Sequence, residues 1–261
     1  MELIDVGVNL TNKSLLNDLH GVIARARDAG VRQMVVTGTS IEESQQAINL
    51  CNRYPDQLVS TCGVHPHHAG DWNENSFDQL QSMAQQDCVR AIGEAGLDFN
   101  RNYSPHPAQE IAFQRQMELA VALKMPLFCH QRDAHKRFVE MLREYRDDIE
   151  RLVVHCFTDT REALTDCLDL DCYIGITGWI CDERRGLDLQ KLVRLIPDDR
   201  LLLETDAPYL LPRNLDPKPS GRINEPAYLP HILENVAYHR NQSPLRLARQ
   251  TLQNSRTFFG L

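Results

Sequence analysis

Paired cysteines, long apolar runs and a surplus of positive charge are all missing from this sequence. The eight cysteines are scattered with no Cys-x-x-Cys spacing, which indicates neither a disulfide framework nor a zinc ribbon. No apolar stretch is long enough to span a bilayer, and the start Met1-Glu-Leu-Ile-Asp5 lacks the basic and apolar regions of a signal peptide. These absences lead us to expect a cytoplasmic chain with no membrane partner. No G-x-G-x-x-G or P-loop follows any strand-like segment, which sets aside the common nucleotide-binding folds. The net charge of −8 excludes a broadly basic surface of the kind that binds nucleic acid non-specifically. A polyanion would need cations gathered at one pocket, with a site metal supplying much of the local positive field.

What the chain does have is a regular alternation of apolar patterns. Strand-like runs fall at Leu3–Val8, Gln33–Gly38, Leu58–Val64, Val89–Leu97, Pro126–His130, Leu152–Phe157, Cys172–Gly178 and Leu201–Thr205. Between them lie helix-period segments at Ser14–Ala29, Ile41–Arg53, Pro107–Leu123, Ala134–Tyr145, Arg161–Leu168 and Leu187–Leu195. Ser14 and Ser40 are placed as N-caps, and Gly30 as a helix stop. Tyr228–Ala237 and Pro244–Phe258 read as closing helices. Strand-helix repeats over 261 residues, with no change of composition, predict an α/β fold: a single (β/α)8 TIM barrel domain covering 1–261. Two stretches without periodicity, Asp98–Pro105 and Pro208–Pro226, are long enough to be functional loops or a cover over the barrel mouth.

Four of the strand-like runs stop at a group that can bind a metal or move a proton: Glu94, His130, His155 and Asp206. One such ending is ordinary, but parallel-barrel strands bring their C-termini to one face, where distant residues become neighbours. Two imidazoles and two carboxylates suit a divalent ion with open positions, and by ligand chemistry Mn2+ or Zn2+ fits best. Such an ion would activate a water, which Asp206 could orient and deprotonate. Glu204 lies two residues earlier on the same face, one layer deeper. His65 and His67, in Gly63-Val-His-Pro-His67, sit just past the third strand, and His65 is the better placed to touch substrate or leaving group. Cys129 and Cys156 should turn to the opposite face as small apolar fillers. Arg101, Arg132, Arg184, Arg185, Arg213, Lys218 and Arg222 all fall in segments after strands and predict an anion-binding rim. His67 belongs to the same candidate substrate surface. Trp179, Tyr209 and Tyr103 share that zone and offer faces for bases.

Gly93-Glu-Ala-Gly-Leu-Asp-Phe99, Gly63-Val-His-Pro-His67, His155-Cys-Phe-Thr158, Gly175-Ile-Thr-Gly-Trp179 and Glu204-Thr-Asp-Ala-Pro-Tyr209 together resemble the TatD family of metal-dependent deoxyribonucleases, in the family's order and over nearly the whole chain. The resemblance implies an amidohydrolase-type barrel and 3′→5′ exonuclease action on single-stranded DNA, with RNA as a further substrate. DNA repair or nucleic-acid degradation is its expected setting. It assigns Glu94, His130, His155 and Asp206 to the metal site, and Mg2+ as the ion, against the preference from ligand chemistry. Most relatives carry Asp-x-His-x-His at the end of strand 1. This chain has Asp5-Val-Gly-Val-Asn9, as one subgroup does, which leaves one firmly bound ion rather than two. We expect a monomer. The alternatives are a small-molecule amidohydrolase or phosphoesterase on the same barrel, and a nucleic-acid-binding protein without catalysis, against which the intact Glu94, His130, His155 and Asp206 argue.

Overall fold

The computed structural model describes residues 1–261. Its strands are β1 (Leu3–Val8), β2 (Val31–Val36), β3 (Leu58–Cys62), β4 (Val89–Asp98), β5 (Leu127–Arg132), β6 (Leu152–Val154), β7 (Tyr173–Ile176) and β8 (Leu201–Leu203). They form one eight-stranded sheet in the order β1 to β8, and a parallel bridge joins Val8 to Ala207, just beyond β8. This is the expected (β/α)8 barrel. No helix is long and apolar enough to cross a membrane.

The strands differ from expectation mainly at their ends. β6 stops at Val154 and β8 at Leu203, so His155 and Asp206 follow their strands instead of closing them. β5 runs on to Arg132, which puts His130 inside it. The segment read as one helix from Ser14 is broken into Lys13–Leu16 and Leu19–Asp28, with Asn17 and Asp18 between. Its cap is Asn12, whose side chain accepts from the Ser14 amide. Ser14 is inside the first turn, a correction to its expected role. Ser40 does cap its helix, accepting from the Glu43 amide at 3.1 Å. Gly30, at φ +94°, ends the helix before β2 in a conformation that favours glycine.

Contacts divide the chain into two compact units. The first contains β1, β2, β8, most of β7 and the closing helices Leu229–Arg240 and Pro244–Phe259. There Asn254 donates to the carbonyls of Asp198 and Leu201, both at 2.8 Å, which ties the last helix to the start of β8. The second unit holds β3 to β6 with their helices. Its core includes Phe113 and Phe138, stacked with ring centres 5.4 Å apart. Helix His135–Tyr145 buries Phe138, Val139, Met141 and Leu142, and this apolar stripe is what fastens it to the sheet.

Candidate metal centre

β4 is shaped around Glu94 by glycine. Gly93 and Gly96 have φ of +136° and +140°, and a Cβ there would lie 2.2 Å from the Phe128 carbonyl oxygen and 1.9 Å from that of His130. Only glycine lets β4 approach β5 this closely. The Glu94 amide donates to the Gly38 carbonyl at 2.7 Å, and the His155 amide to that of Cys129 at 2.9 Å. His65 follows β3, its amide held by the Thr39 carbonyl at 2.8 Å.

These placements surround one carboxylate oxygen with three imidazoles. Glu94 Oε1 lies 2.7 Å from His155 Nε2, 3.1 Å from His130 Nδ1 and 3.3 Å from His65 Nε2. Glu94 and His155 are each only 5% exposed, so solvent does little to screen them. Burial pushes the Glu94 carboxyl up, but His155, His65 and His130 outweigh it and hold the group well below the usual carboxylate range. His130 is raised: burial lowers it, and Asp98 and Glu94 overcome that.

His65, Glu94 and His130 can each offer a ligand atom, all within 4.8 Å of one another. The hydrogen bonding separates His65 from the others. Its Nδ1 accepts from the His67 amide at 3.0 Å, so the neutral ring carries its proton on Nε2, the nitrogen that faces Glu94. Burial lowers the His65 pKa to about 4 against the pull of Glu94, and the ring is neutral at physiological pH. His65 is therefore a hydrogen donor toward the site. Glu94 Oε1 lies within 3.1 Å of both His130 Nδ1 and His155 Nε2, and oxygen and imidazole donors of this kind suit a divalent cation.

Beside His67 and His130 stands a residue of the Gly93–Phe99 motif that the sequence pattern assigned no role. Asp98, 1% exposed, ends β4. Its Oδ2 lies 2.7 Å from His67 Nε2 and 3.5 Å from His130 Nε2. Against the effect of burial, His130, His67 and the Arg101 amide hold its carboxyl well below the usual range. The available signal was its even spacing from Glu94 along one strand. The Tyr103 ring, 69% exposed, meets His67 edge-on at 4.7 Å.

Asp206 lies in the first unit, with Asn9, Glu204 and Asp5. Asp206 has φ of +54°, uncommon for a residue with a side chain. Its amide donates to the Gly7 carbonyl at 2.9 Å, and its Oδ1 accepts from Asn9 Nδ2 at 3.0 Å. Asn9 thus serves as a donor to the carboxylate, a use the sequence did not disclose. Glu204 is fully buried, and its Oε1 takes the Cys156 amide at 2.5 Å. Cys129 is buried as expected, but Cys156 lies beyond β6, is partly exposed, and has its sulfur 3.7 Å from Thr177 Oγ1. Asp5, also fully buried, accepts from the Thr205 amide at 2.9 Å and the Thr205 hydroxyl at 2.5 Å. Burial pushes the Asp5 carboxyl up to about 7.

The basic rim is weaker than charge counting suggests. Arg184 and Arg185 both turn to Asp182, at 3.5 and 3.1 Å, and Arg213 pairs with Glu183 at 3.2 Å. The Arg185 guanidinium also sits 4.4 Å from the centre of the Trp179 ring. Arg101, Arg132, Lys218 and Arg222 are exposed.

A glutamate on β4 ringed by histidines after or within neighbouring strands suits the centre of a metal-dependent hydrolase barrel. The family model described as TatD related DNase matches residues 4–260, and the chain belongs to that family. It is 52% identical over 259 residues to the 3′-5′ ssDNA/RNA exonuclease TatD of Pantoea ananatis, a match covering 99% of this chain and 100% of that protein. Among solved structures, the TatD homologue YJJV of Escherichia coli superposes with a TM-score of 0.91 at 25% identity, covering 99% of this chain and 98% of that one. An uncharacterized amidohydrolase from Saccharomyces cerevisiae shares the fold, with a TM-score of 0.87 at 24% identity over 99% of this chain and 100% of that one.

Proposed function

We propose that this protein is a metal-dependent 3′→5′ exonuclease that hydrolyses single-stranded DNA and RNA from the 3′ end. The observation that carries this reading is the single buried Glu94 oxygen within 3.3 Å of three imidazole nitrogens, in a chain so similar to proteins bearing that name. Glu94, His130 and His155 would hold the ion, and the resemblance of Glu204-Thr-Asp-Ala-Pro-Tyr209 to the family's motif assigns Asp206 to the reaction with them. The bound ion supplies Lewis acidity and positive charge to a phosphodiester and lowers the pKa of water.

The chain's own groups divide the remaining work. The Asp206 carboxylate, steadied by the Asn9 amide, orients the attacking water and accepts its proton. His65, with its proton on Nε2, donates to a phosphate or leaving-group oxygen. Tyr103 offers an exposed face to a terminal base, and Arg101, Arg132 and Arg222 contact backbone phosphates. Where most relatives place two more histidines, Gly7 offers no side chain and Asn9 spends its amide on Asp206. That supports one firmly bound ion, Mg2+ in our reading, with any second ion arriving alongside substrate phosphate. We take the working form to be a monomer.

The test uses a single-stranded oligonucleotide labelled at either end, with the protein stripped by EDTA and resupplied with Mg2+ or Mn2+. A 5′-labelled strand should shorten progressively, while a 3′ label should appear at once as mononucleotide, and EDTA should stop both. First release of a 5′ label, or cutting of a closed circle, would refute the polarity.

A further inference from the structure

We propose that Asp98 is a positioning residue for the metal centre: its Oδ2, shared by two histidines, fixes the His130 ring with Nδ1 toward Glu94. The inference rests on the reading above that His130 is a ligand. Glu94 and Asp98 lie at opposite edges of the His130 imidazole, 3.1 Å from Nδ1 and 3.5 Å from Nε2. His130 Nε2 is buried and makes no hydrogen bond as it stands, and Asp98 is the acceptor facing it. When Nδ1 gives its lone pair to an ion, the ring's proton must sit on Nε2. A carboxylate there fixes that tautomer and increases the basicity of the ligating nitrogen.

Asp98 is built to stay in place. Its Oδ1 accepts from the amides of Asn100 and Arg101 at 2.9 and 2.8 Å. Its own amide donates to Gln109 Oε1 at 2.8 Å, and Gln109 Nε2 returns a bond to the Asp98 carbonyl at 3.0 Å. The same Gln109 nitrogen holds the Ser104 carbonyl at 2.9 Å, and the Ser104 hydroxyl holds that of His67 at 2.9 Å. The carboxylate and the His67 loop are thus fastened to the helix His106–Leu123. These bonds also argue against Asp98 as a ligand, because Oδ1 is committed to backbone amides and Oδ2 lies behind the His130 ring. One anion therefore supports a metal ligand and the loop that carries the substrate-facing His67.

The experiment titrates Mn2+ into the EDTA-stripped chain by calorimetry, with circular dichroism as a check on folding. Asp98→Ala should weaken Mn2+ binding by about 10- to 100-fold, the usual effect of losing such a partner, with stoichiometry unchanged. Asp98→Asn, which keeps an acceptor oxygen and loses the charge, should weaken it less; it carries the test if the alanine variant does not fold. Saturating Mn2+ should restore most of kcat in either variant, while KM for single strands stays raised through His67. His67→Ala, which leaves the carboxylate and its backbone anchors, should bind Mn2+ within about threefold of wild type. Wild-type affinity in Asp98→Asn and Asp98→Ala, loss of a whole equivalent of ion, or equal weakening in His67→Ala would each overturn the proposal. If His130→Ala binds Mn2+ normally, the ligand assignment itself has failed.

Discussion

Replacing Glu94 by glutamine keeps the shape of the side chain and removes its charge from the midst of His65, His130 and His155. The His130 Nδ1 contact is 3.1 Å, and a pair of unit charges at that separation is worth roughly 5 kcal/mol at an effective dielectric constant near 20. Keeping both groups out of water offsets about half of this. In the metal-free protein that leaves roughly 2–3 kcal/mol, so the melting temperature should fall by about 4–12 °C. A bound cation loses a comparable net amount, because the glutamine still buries the site and no longer offers an anion. About 2–3 kcal/mol corresponds to roughly a 30- to 150-fold loss of Mn2+ affinity. Calorimetry on EDTA-stripped protein measures the affinity, and thermal denaturation in EDTA measures the stability. Glu94→Gln that binds Mn2+ within threefold of wild type would refute the reasoning, as would a variant that unfolds before metal is added.

Three further outcomes are expected. Asp206→Asn should reduce kcat on single-stranded DNA by at least about 10²-fold, the scale of a lost general base, with the fold retained by circular dichroism. Tyr103→Ala should raise KM for single strands by about 5- to 10-fold with little change in kcat, the low end of base–aromatic stacking, while Tyr103→Phe stays near wild type in steady-state kinetics. Asp5, pushed up to about 7 from an ordinary 3.8, keeps a proton in the native state that the unfolded chain loses, so its contribution to stability falls as pH rises from roughly 4 to 7. Urea denaturation of wild type and Asp5→Asn across that window should therefore show wild type losing ground; parallel curves would contradict the assignment.

The barrel was legible because each strand is a short apolar run and each helix a periodic one, and those patterns survive errors of a few residues at the ends. Glu94, His130 and His155 stood out because a charged or ligating group at the close of an apolar run is conspicuous. Asp98 was less visible: it sits where β4 meets a polar loop, and there an aspartate resembles a strand terminator. Its role depends on Oδ2 meeting two histidines from other segments, which no local pattern encodes. Asn9 stands where most relatives carry a histidine, and its use as a donor to Asp206, 197 residues away, is likewise encoded by no local pattern. The rim was overestimated for a local reason, since Asp182 and Glu183 stand directly beside Arg184 and Arg185 in the chain and neutralise them, with Arg213, at short range.

The most direct test of a Glu94-centred site is anomalous diffraction from crystals of the EDTA-stripped protein soaked in Mn2+. We expect one strong peak bonded to Glu94, His130 Nδ1 and His155 Nε2, with the His65 ring beside the ion and outside its coordination shell. A principal peak away from Glu94, or one in which His65 Nε2 replaces His130 or His155 as a ligand, would contradict the account.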